Sequence, residues 1–190
     1  MISFEAAPRT VEDFNKNLHL NNFKNIILKN LAISDIDNNK VSFNESVNDW
    51  ESSLTHNNFK KKSLTKISTT TIDTTLKEYS LDNRFLFIKL DIEGHELQAI
   101  KGGENTIRKH KPIIIIEFSK YIFENDRDSF IFLEKFLFNF DYSIYGTNNK
   151  LTSIEEIKYQ LKNLNSDHKT IGNYYLIKND QILTNIFINE

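Results

Sequence analysis

Residues 85–97 read FLFIKLDIEGHEL, an apolar run that ends in two carboxylates, a glycine and a histidine. The run from Phe85 to Asp91 is almost continuously apolar, which predicts a strand buried on both faces. The pattern then changes to a helical period over 96–109. A second apolar run, Ile113 to Ile116, ends in Glu117. Strand, helix and strand in this order decide the fold class.

The flanking segments extend the same alternation. Thr10 is expected to cap a helix that ends at Asn21-Asn22, and Asn25 to Ser34 is predicted to form a strand. The polar stretch Asp35 to Thr71 is interpreted as a β-hairpin or a long surface excursion. The later elements predicted are helices over 129–139 and after the capping box of Ser153 and Glu156, and strands over 142–145, 174–177 and 182–188.

This order predicts an α/β fold in one domain, 1–190, with a mostly parallel sheet and helices on both faces. Sites on such sheets lie beyond the carboxyl ends of the strands. The acids at these ends are Glu5, Asp91, Glu93 and Glu117. We therefore expect them to line one edge of the sheet.

Composition narrows the class of protein. The 190 residues contain no cysteine, which excludes disulfides, thiolate zinc sites and a cysteine nucleophile. The net charge of -2, without a basic block, argues against nucleic acid as a partner. No export signal or membrane-spanning run is visible, so a soluble cytoplasmic protein is expected.

Asp91, Glu93 and His95 are the candidate catalytic residues. Side chains two apart on an extended backbone face the same way, so the two carboxylates could bind a hard cation or divide general-base and hydrogen-bonding duties. The structural alternative is a loop acid followed by a carboxylate near a helix N-terminus. His95 could serve as a base near neutral pH. A zinc-protease helix is excluded because position 99 is Ala99.

Two further patterns are interpreted as structural. Gly102-Gly103 lacks the residues of a phosphate-binding loop, and a close approach of the helix to a neighbouring element explains it better. Helical spacing predicts core packing for Trp50 and for a stripe made of Phe130, Ile131, Leu133, Phe136 and Leu137.

The central motif resembles a known family. The run from Phe87 to Leu97, then Ile100-Lys101-Gly102-Gly103, then Lys111 to Glu117 are similar in order and spacing to the FkbM-type S-adenosylmethionine-dependent methyltransferases. Upstream blocks at 3–8, 32–35 and 71–73 match in the same order. The resemblance covers about residues 1–120 and continues more loosely to about 178.

The resemblance implies a Rossmann-like methyltransferase sheet, S-adenosyl-L-methionine as the cofactor, and O-methylation of a hydroxyl on a sugar, glycan or secondary metabolite. Glu5 would hold the cofactor ribose, and Ser34 and Asp35 would lie near the adenine. Asp91 would lie by the methionine end and the acceptor, where Asp91 or His95 is the candidate base. No metal is implied.

One departure from the family pattern is large. The family carries a strand and a glycine-rich turn about 20 residues before the ribose-binding acid, and here that acid is the fifth residue. The resemblance thus implies that the first strand, its turn and the following helix are missing from these residues. We expect the chain alone to bind S-adenosylmethionine weakly or not at all.

Three function classes remain open at this point. The first is an enzyme or enzyme fragment, and the second is a non-catalytic remnant or binding module. An in-frame strand and glycine-rich turn encoded just upstream would favour the first. The third is a sugar-nucleotide glycosyltransferase with Asp91 and Glu93 as its metal-binding pair. Acceptor contacts are expected from the polar excursion at 38–70 and from the region after Phe118.

Overall fold

The computed structural model describes residues 1–46, 61–79, 86–123, 127–165 and 169–181. Trp50 and the strand predicted over 182–188 lie outside these ranges. The helices and strands are, in chain order, β1 (Ile2–Phe4), α1 (Pro8–Leu20), β2 (Ile27–Lys29), β3 (Ala32–Ile33), β4 (Lys40–Ser46), β5 (Lys61–Thr70), α2 (Ile72–Lys77), β6 (Phe87–Leu90), α3 (Glu96–Lys101), α4 (Glu104–His110), β7 (Ile113–Ser119), α5 (Lys120–Phe123), α6 (Arg127–Phe140), β8 (Tyr142–Gly146), β9 (Leu151–Thr152), α7 (Ile154–Lys162) and β10 (Thr170–Lys178).

The chain forms two compact units. The first contains residues 1–81 and 92–104, and the second contains 82–91 and 105–190. In the first unit, β1 and β2 form a parallel pair, and β3, β5 and β4 form a three-stranded sheet in that order. The predicted strand over 25–34 is thus divided into β2 and β3. The division falls at Asn30, whose side-chain amide donates to the carbonyls of Glu5 and Ala6 at 2.9 and 3.1 Å.

The polar excursion forms the predicted hairpin. β4 runs antiparallel to β5 from the pair Lys40 and Ser68 onward. Phe43 and Ile67 face inward and pack in a small apolar cluster with Ala7 and Ala32. Alternation of apolar and polar residues on these strands therefore reflects one buried face.

The prediction that Thr10 caps the first helix is wrong. α1 begins at Pro8, with Ala7 at the N-cap and no side-chain cap. Proline suits the first helical turn because its missing N–H has no partner there and its φ is already helical. The predicted end is confirmed, since Asn21 is the C-cap.

The helix predicted over 96–109 is two helices, α3 and α4, separated at Gly102-Gly103. Both glycines are buried in a close approach, as the sequence predicted. A Cβ on Gly102 would lie 2.1 Å from the carbonyl oxygen of Ser34, and one on Gly103 would lie 3.1 Å from Ile72 Cδ1. Backbone therefore meets backbone at Gly102, which a side chain would prevent.

The second unit contains a five-stranded sheet in the order β6-β7-β10-β8-β9. The α/β class is confirmed, but the expectation of a mostly parallel sheet is wrong. In the described part of this sheet only β6 and β7 pair in parallel, and β10 runs antiparallel to both β7 and β8. Apolar strand patterns do not encode direction, which depends on how the chain returns through β9 and α7.

One face of this sheet carries the core. The buried residues on it are Ile114, Ile116, Phe118, Ile144, Tyr174 and Leu176, and those of the nearby helices are Leu133, Phe136, Ile157 and Leu161. Ser153 is the N-cap of α7, and its side chain accepts a hydrogen bond from the Glu156 N–H, as the sequence predicted. Ile131 in the predicted core stripe is instead exposed.

β6 is not buried on both faces as predicted. Phe87 is 58% exposed, although Leu90 is buried. The reason is its position, because β6 is an outer strand of the sheet among the residues described. Within the same ranges, no helix is long and apolar enough to cross a membrane.

Candidate functional site

Two carboxylates meet at one edge of the second unit's sheet. Leu90 pairs with Ile116 across β6 and β7, so Asp91 and Glu117 occupy the next position on neighbouring strands. Their carboxylate oxygens lie within 4.8 Å of each other. Asp91 is exposed, and its Oδ2 lies 3.0 Å from Lys89 Nζ. Glu117 is half-buried.

The surroundings of these two acids differ, and they raise the pKa of Glu117. Burial raises the pKa of Glu117, and the negative charge of Asp91 raises it further, while a hydrogen bond with Thr170 acts in the opposite direction. Two close carboxylates disfavour a second negative charge, so one of the pair holds a proton more tightly. Glu117, the more buried of the two, is the acid whose pKa is raised. Asp91 lies beside Lys89 and is exposed, so an incoming hydroxyl can reach it.

Sequence reasoning identified Glu117 as a strand-end acid but did not include it among the catalytic candidates. In the structure β7 continues to Ser119, so Glu117 lies within the strand and is fixed by its ladder. Its partner on β10 is Asn173. The sequence did contain a signal for this pairing. When the two apolar runs are aligned as neighbouring strands, Asp91 and Glu117 fall side by side.

Glu5 follows β1 in the first unit. The Ala7 N–H donates to Glu5 Oε1 at 2.7 Å, which fixes the carboxylate over the turn into α1. Burial raises the pKa of Glu5, and the backbone N–H donors of Ala7 and Ala6 oppose this shift. A carboxylate has about four lone-pair sites, so one that is held by two backbone donors can still accept hydrogen bonds from a ligand.

Ser34, Asp35 and His95 are brought together in the first unit. Ser34 Oγ lies 3.1 Å from Asp35 Oδ1 and 2.9 Å from His95 Nε2. A serine hydroxyl has one proton, and the carboxylate can only accept it. The hydroxyl therefore accepts from His95, which assigns the proton of the neutral imidazole to Nε2.

His95 Nδ1 is then an acceptor. It is buried and has no hydrogen-bond partner among the described residues. Burial lowers the pKa of His95; Lys101 contributes in the same direction, and Asp35 opposes it. The imidazole is thus held neutral, with Nε2 occupied by Ser34.

The loop before α3 is a tight turn. Glu93 and Gly94 both have positive φ, at 53° and 97°. Glu96 follows in α3 and is 1% exposed, with Oε1 accepting the Ile92 N–H at 2.9 Å. The sequence pattern did not point to Glu96. Its carboxylate closes the turn at the helix start, which explains why an acid is buried here.

The predicted site residues are thus divided between the units. Glu5, Ser34, Asp35, Glu93 and His95 belong to the first unit, and Asp91 belongs to the second. The structure joins Ser34 and Asp35 to His95, and Asp91 to Glu117. A single acidic edge that includes Glu5 and Glu93 stays a prediction.

Comparison with known proteins gives one family and one solved structure. A family model described as the methyltransferase FkbM domain matches residues 1–144. The crystal structure of methyltransferase FkbM from Methylobacillus flagellatus KT is similar, with 20% sequence identity and a TM-score of 0.49. The match covers 92% of this chain but 36% of that chain, so the present chain spans little more than a third of that protein's length. A search of curated proteins found no match.

Proposed function

The chain belongs to the FkbM methyltransferase domain family, and from this premise we propose that it functions in S-adenosylmethionine-dependent O-methylation, with Asp91 as the base. The acceptor is a hydroxyl of a sugar, glycan or secondary metabolite. The observation that carries the proposal is the pair of Asp91 and Glu117 at the sheet edge. It supplies one exposed carboxylate beside a lysine and, next to it, a half-buried acid whose pKa is raised by burial.

Asp91 suits the role of base better than His95. An alcohol becomes a better nucleophile when a positioned side chain takes its proton, and this requires an accessible, unprotonated group. Asp91 is 51% exposed on its side chain. His95 Nε2 is already occupied by Ser34, and its Nδ1 is buried. His95 then fixes Ser34 and Asp35, and Glu117 holds Asp91 in place.

Residues of the first unit fit the adenosine half of the cofactor. Glu5 offers a half-buried carboxylate that the N–H groups of Ala7 and Ala6 hold in place, and its remaining lone pairs suit the ribose hydroxyls. Ser34 and Asp35 follow β3 in an arrangement that His95 fixes. When bound, S-adenosylmethionine supplies the methyl group, and the protein's task is mainly to position the two reactants.

These residues contain no glycine-rich turn that could hold the methionine half of the cofactor. The glycines are at 94, 102, 103, 146 and 172, so none belongs to a turn before Glu5. Backbone N–H groups of a glycine-rich turn are what such folds use to hold this end of a ligand. We therefore propose that these 190 residues bind S-adenosylmethionine weakly or not at all. Titration calorimetry checks this, and micromolar affinity would contradict it.

The base is tested with the variant Asp91→Asn, matched to Asp13→Asn on the exposed surface of α1. Formation of S-adenosylhomocysteine is followed by mass spectrometry at millimolar S-adenosylmethionine with a panel of sugars and glycans. Loss of a general base costs about 10²- to 10⁴-fold in rate, so we expect that loss for Asp91→Asn and an unchanged rate for Asp13→Asn. Full activity of Asp91→Asn would refute its role. A chain that binds both S-adenosylmethionine and glycans and never forms S-adenosylhomocysteine would instead be a non-catalytic binding module.

A further inference from the structure

β1 has one edge that no described strand covers. It pairs in parallel with β2 alone. The β1 groups that bond to β2 include the Met1 carbonyl and the Glu5 N–H, at 2.9 and 3.1 Å. Backbone groups alternate in direction along a strand, so the N–H and C=O groups of Ile2 and Phe4 point away from β2. Among the described residues, no hydrogen bond reaches these outward groups.

The pair of β1 and β2 is an incomplete sheet. Parallel strands occur in sheets covered on both faces, and two strands need a third strand or a well-packed helix for stability. All residues of β1 are half-buried, and α1 contains no buried residue. Four large apolar side chains of the same region are exposed, namely Met1, Leu20, Phe23 and Ile27. Apolar surface around an open edge is typical of an interaction site.

β1 differs from the other outer strands in the described part of the chain. Sheets protect their outer strands with charged residues, above all lysine, or keep these strands very short. The outer strands β2, β4 and β6 carry Lys29, Lys40 and Lys89, and β3 and β9 contain two residues each. β1 has three residues, and none of them is charged or a proline. It is therefore the least protected of the described edges.

The sequence of β1 fits a second copy of itself. In an antiparallel pair centred on Ser3, Ile2 of one copy lies opposite Phe4 of the other. The outward groups of these residues then exchange both N–H···O=C bonds in each of two symmetric pairs. Ser3 lies opposite Ser3 in the non-hydrogen-bonded pair, where Cα atoms are about 4.5 Å apart and a small side chain fits. A β-branched residue opposite an aromatic one is a favourable cross-strand pair.

We propose that the chain forms a two-fold dimer, in which a second copy of this chain adds its own β1 antiparallel to the open edge of β1. The result is a four-stranded sheet in the order β2-β1-β1-β2. The facing strands carry no charge, so like charges do not repel each other across the axis. An isologous pairing of this kind closes on itself and leaves no open β1 edge. The strand is short, so the dimer is weak, with a Kd on the order of 100 µM.

The test is a charge exchange at the two-fold axis. Ser3→Lys and Ser3→Glu each place like charges directly opposite in the dimer, and each should weaken it about fivefold. An equal mixture of the two variants should associate about as tightly as wild type, because opposite charges then face each other. Recovery on mixing separates lost pairing from a folding defect, since a misfolded variant is not restored by another. Asn139→Lys, at an exposed position in the second unit, is the matched control and should leave the affinity unchanged.

Two measurements follow the dimer. Analytical ultracentrifugation over about a hundredfold range of concentration around the expected Kd gives the affinity of each variant. Amide hydrogen exchange by NMR locates the interface. The amides of Ile2 and Phe4 should exchange more slowly at high concentration, whereas the Lys89 amide on β6 should not change.

Several results would overturn the proposal. They are a monomer at every concentration, equal affinity of Ser3→Lys and wild type, failure of the mixture to recover, and slowed exchange at Lys89 in place of Ile2 and Phe4. The proposal does not rest on methyl transfer, which the Asp91→Asn variant tests separately.

Discussion

Replacement of Gly102 by alanine should destabilise the first unit. Its Cβ would lie 2.1 Å from the Ser34 carbonyl oxygen, 3.0 Å from the Ser34 carbonyl carbon and 3.2 Å from Asp35 Cα. Real Cβ atoms do not approach within 3.0 Å, so backbone must move by about 0.9 Å. The Ser34 N–H is bonded to the Thr70 carbonyl at 2.9 Å, which ties β3 to β5 and resists that movement.

Overpacking costs about 1 to 3 kcal/mol, and a clash of backbone with backbone belongs at the upper end. Gly102 has a helical φ, so alanine at this position also stabilises the protein by about 0.5 to 1 kcal/mol. The reason is that alanine lowers the conformational entropy of the unfolded chain. The net loss is about 2 kcal/mol. With an m value of about 2 kcal/mol/M, the urea midpoint falls by about 1 M.

Equilibrium unfolding in urea, followed by circular dichroism, measures this shift. Gly103→Ala is the matched control, because the atoms nearest to its Cβ would all belong to the Ile72 side chain, at 3.1 to 3.3 Å, and a shift of a few tenths of an ångström would relieve them. That variant should lose less than about 1 kcal/mol. A Gly102→Ala midpoint within about 0.2 M of wild type would refute the close approach.

Three other substitutions probe the titrating and buried groups. The pKa of Glu117 is raised in the folded state, so wild type loses stability as pH rises from 4.5 through that pKa. Glu117→Gln should therefore flatten this part of the curve of unfolding free energy against pH. The lowered pKa of His95 means that wild type loses stability as pH falls from 6.5 through the folded-state pKa. His95→Gln should remove this dependence of the unfolding free energy on pH. An imidazole of His95 that titrates at 6.5 by NMR would contradict the lowered pKa. The Tyr142 hydroxyl donates to the buried Pro112 carbonyl at 2.7 Å, so Tyr142→Phe should cost about 1 to 2 kcal/mol in thermal unfolding, whereas Tyr145→Phe should cost little.

Features set by a few neighbouring residues could be predicted from the sequence. The Ser153 cap depends on one hydroxyl and the N–H three residues later. Gly102-Gly103 lacks the residues of a phosphate loop, which left close packing as the explanation, and the structure bears it out. The hairpin of β4 and β5 followed from alternation on one buried face.

Features set by distant pairing could not be predicted. The exposure of Phe87 depends on which strands flank β6, and the apolar run itself carries no such information. The direction of β10 depends on the route of the chain through β9 and α7. The bond between Ser34 and His95 joins residues 61 positions apart, and only the folded first unit makes them neighbours.

The open strand edges have a practical consequence for handling the protein. Among the described residues β1 pairs with β2 alone and β6 is an outer strand, so each has one edge that no described strand covers. Such edges are templates for pairing between molecules, and the exposed Phe87 adds apolar surface to one of them. Self-association should then grow with protein concentration. Binding and unfolding measurements on this chain therefore need a dilution series before any affinity or midpoint is compared between variants.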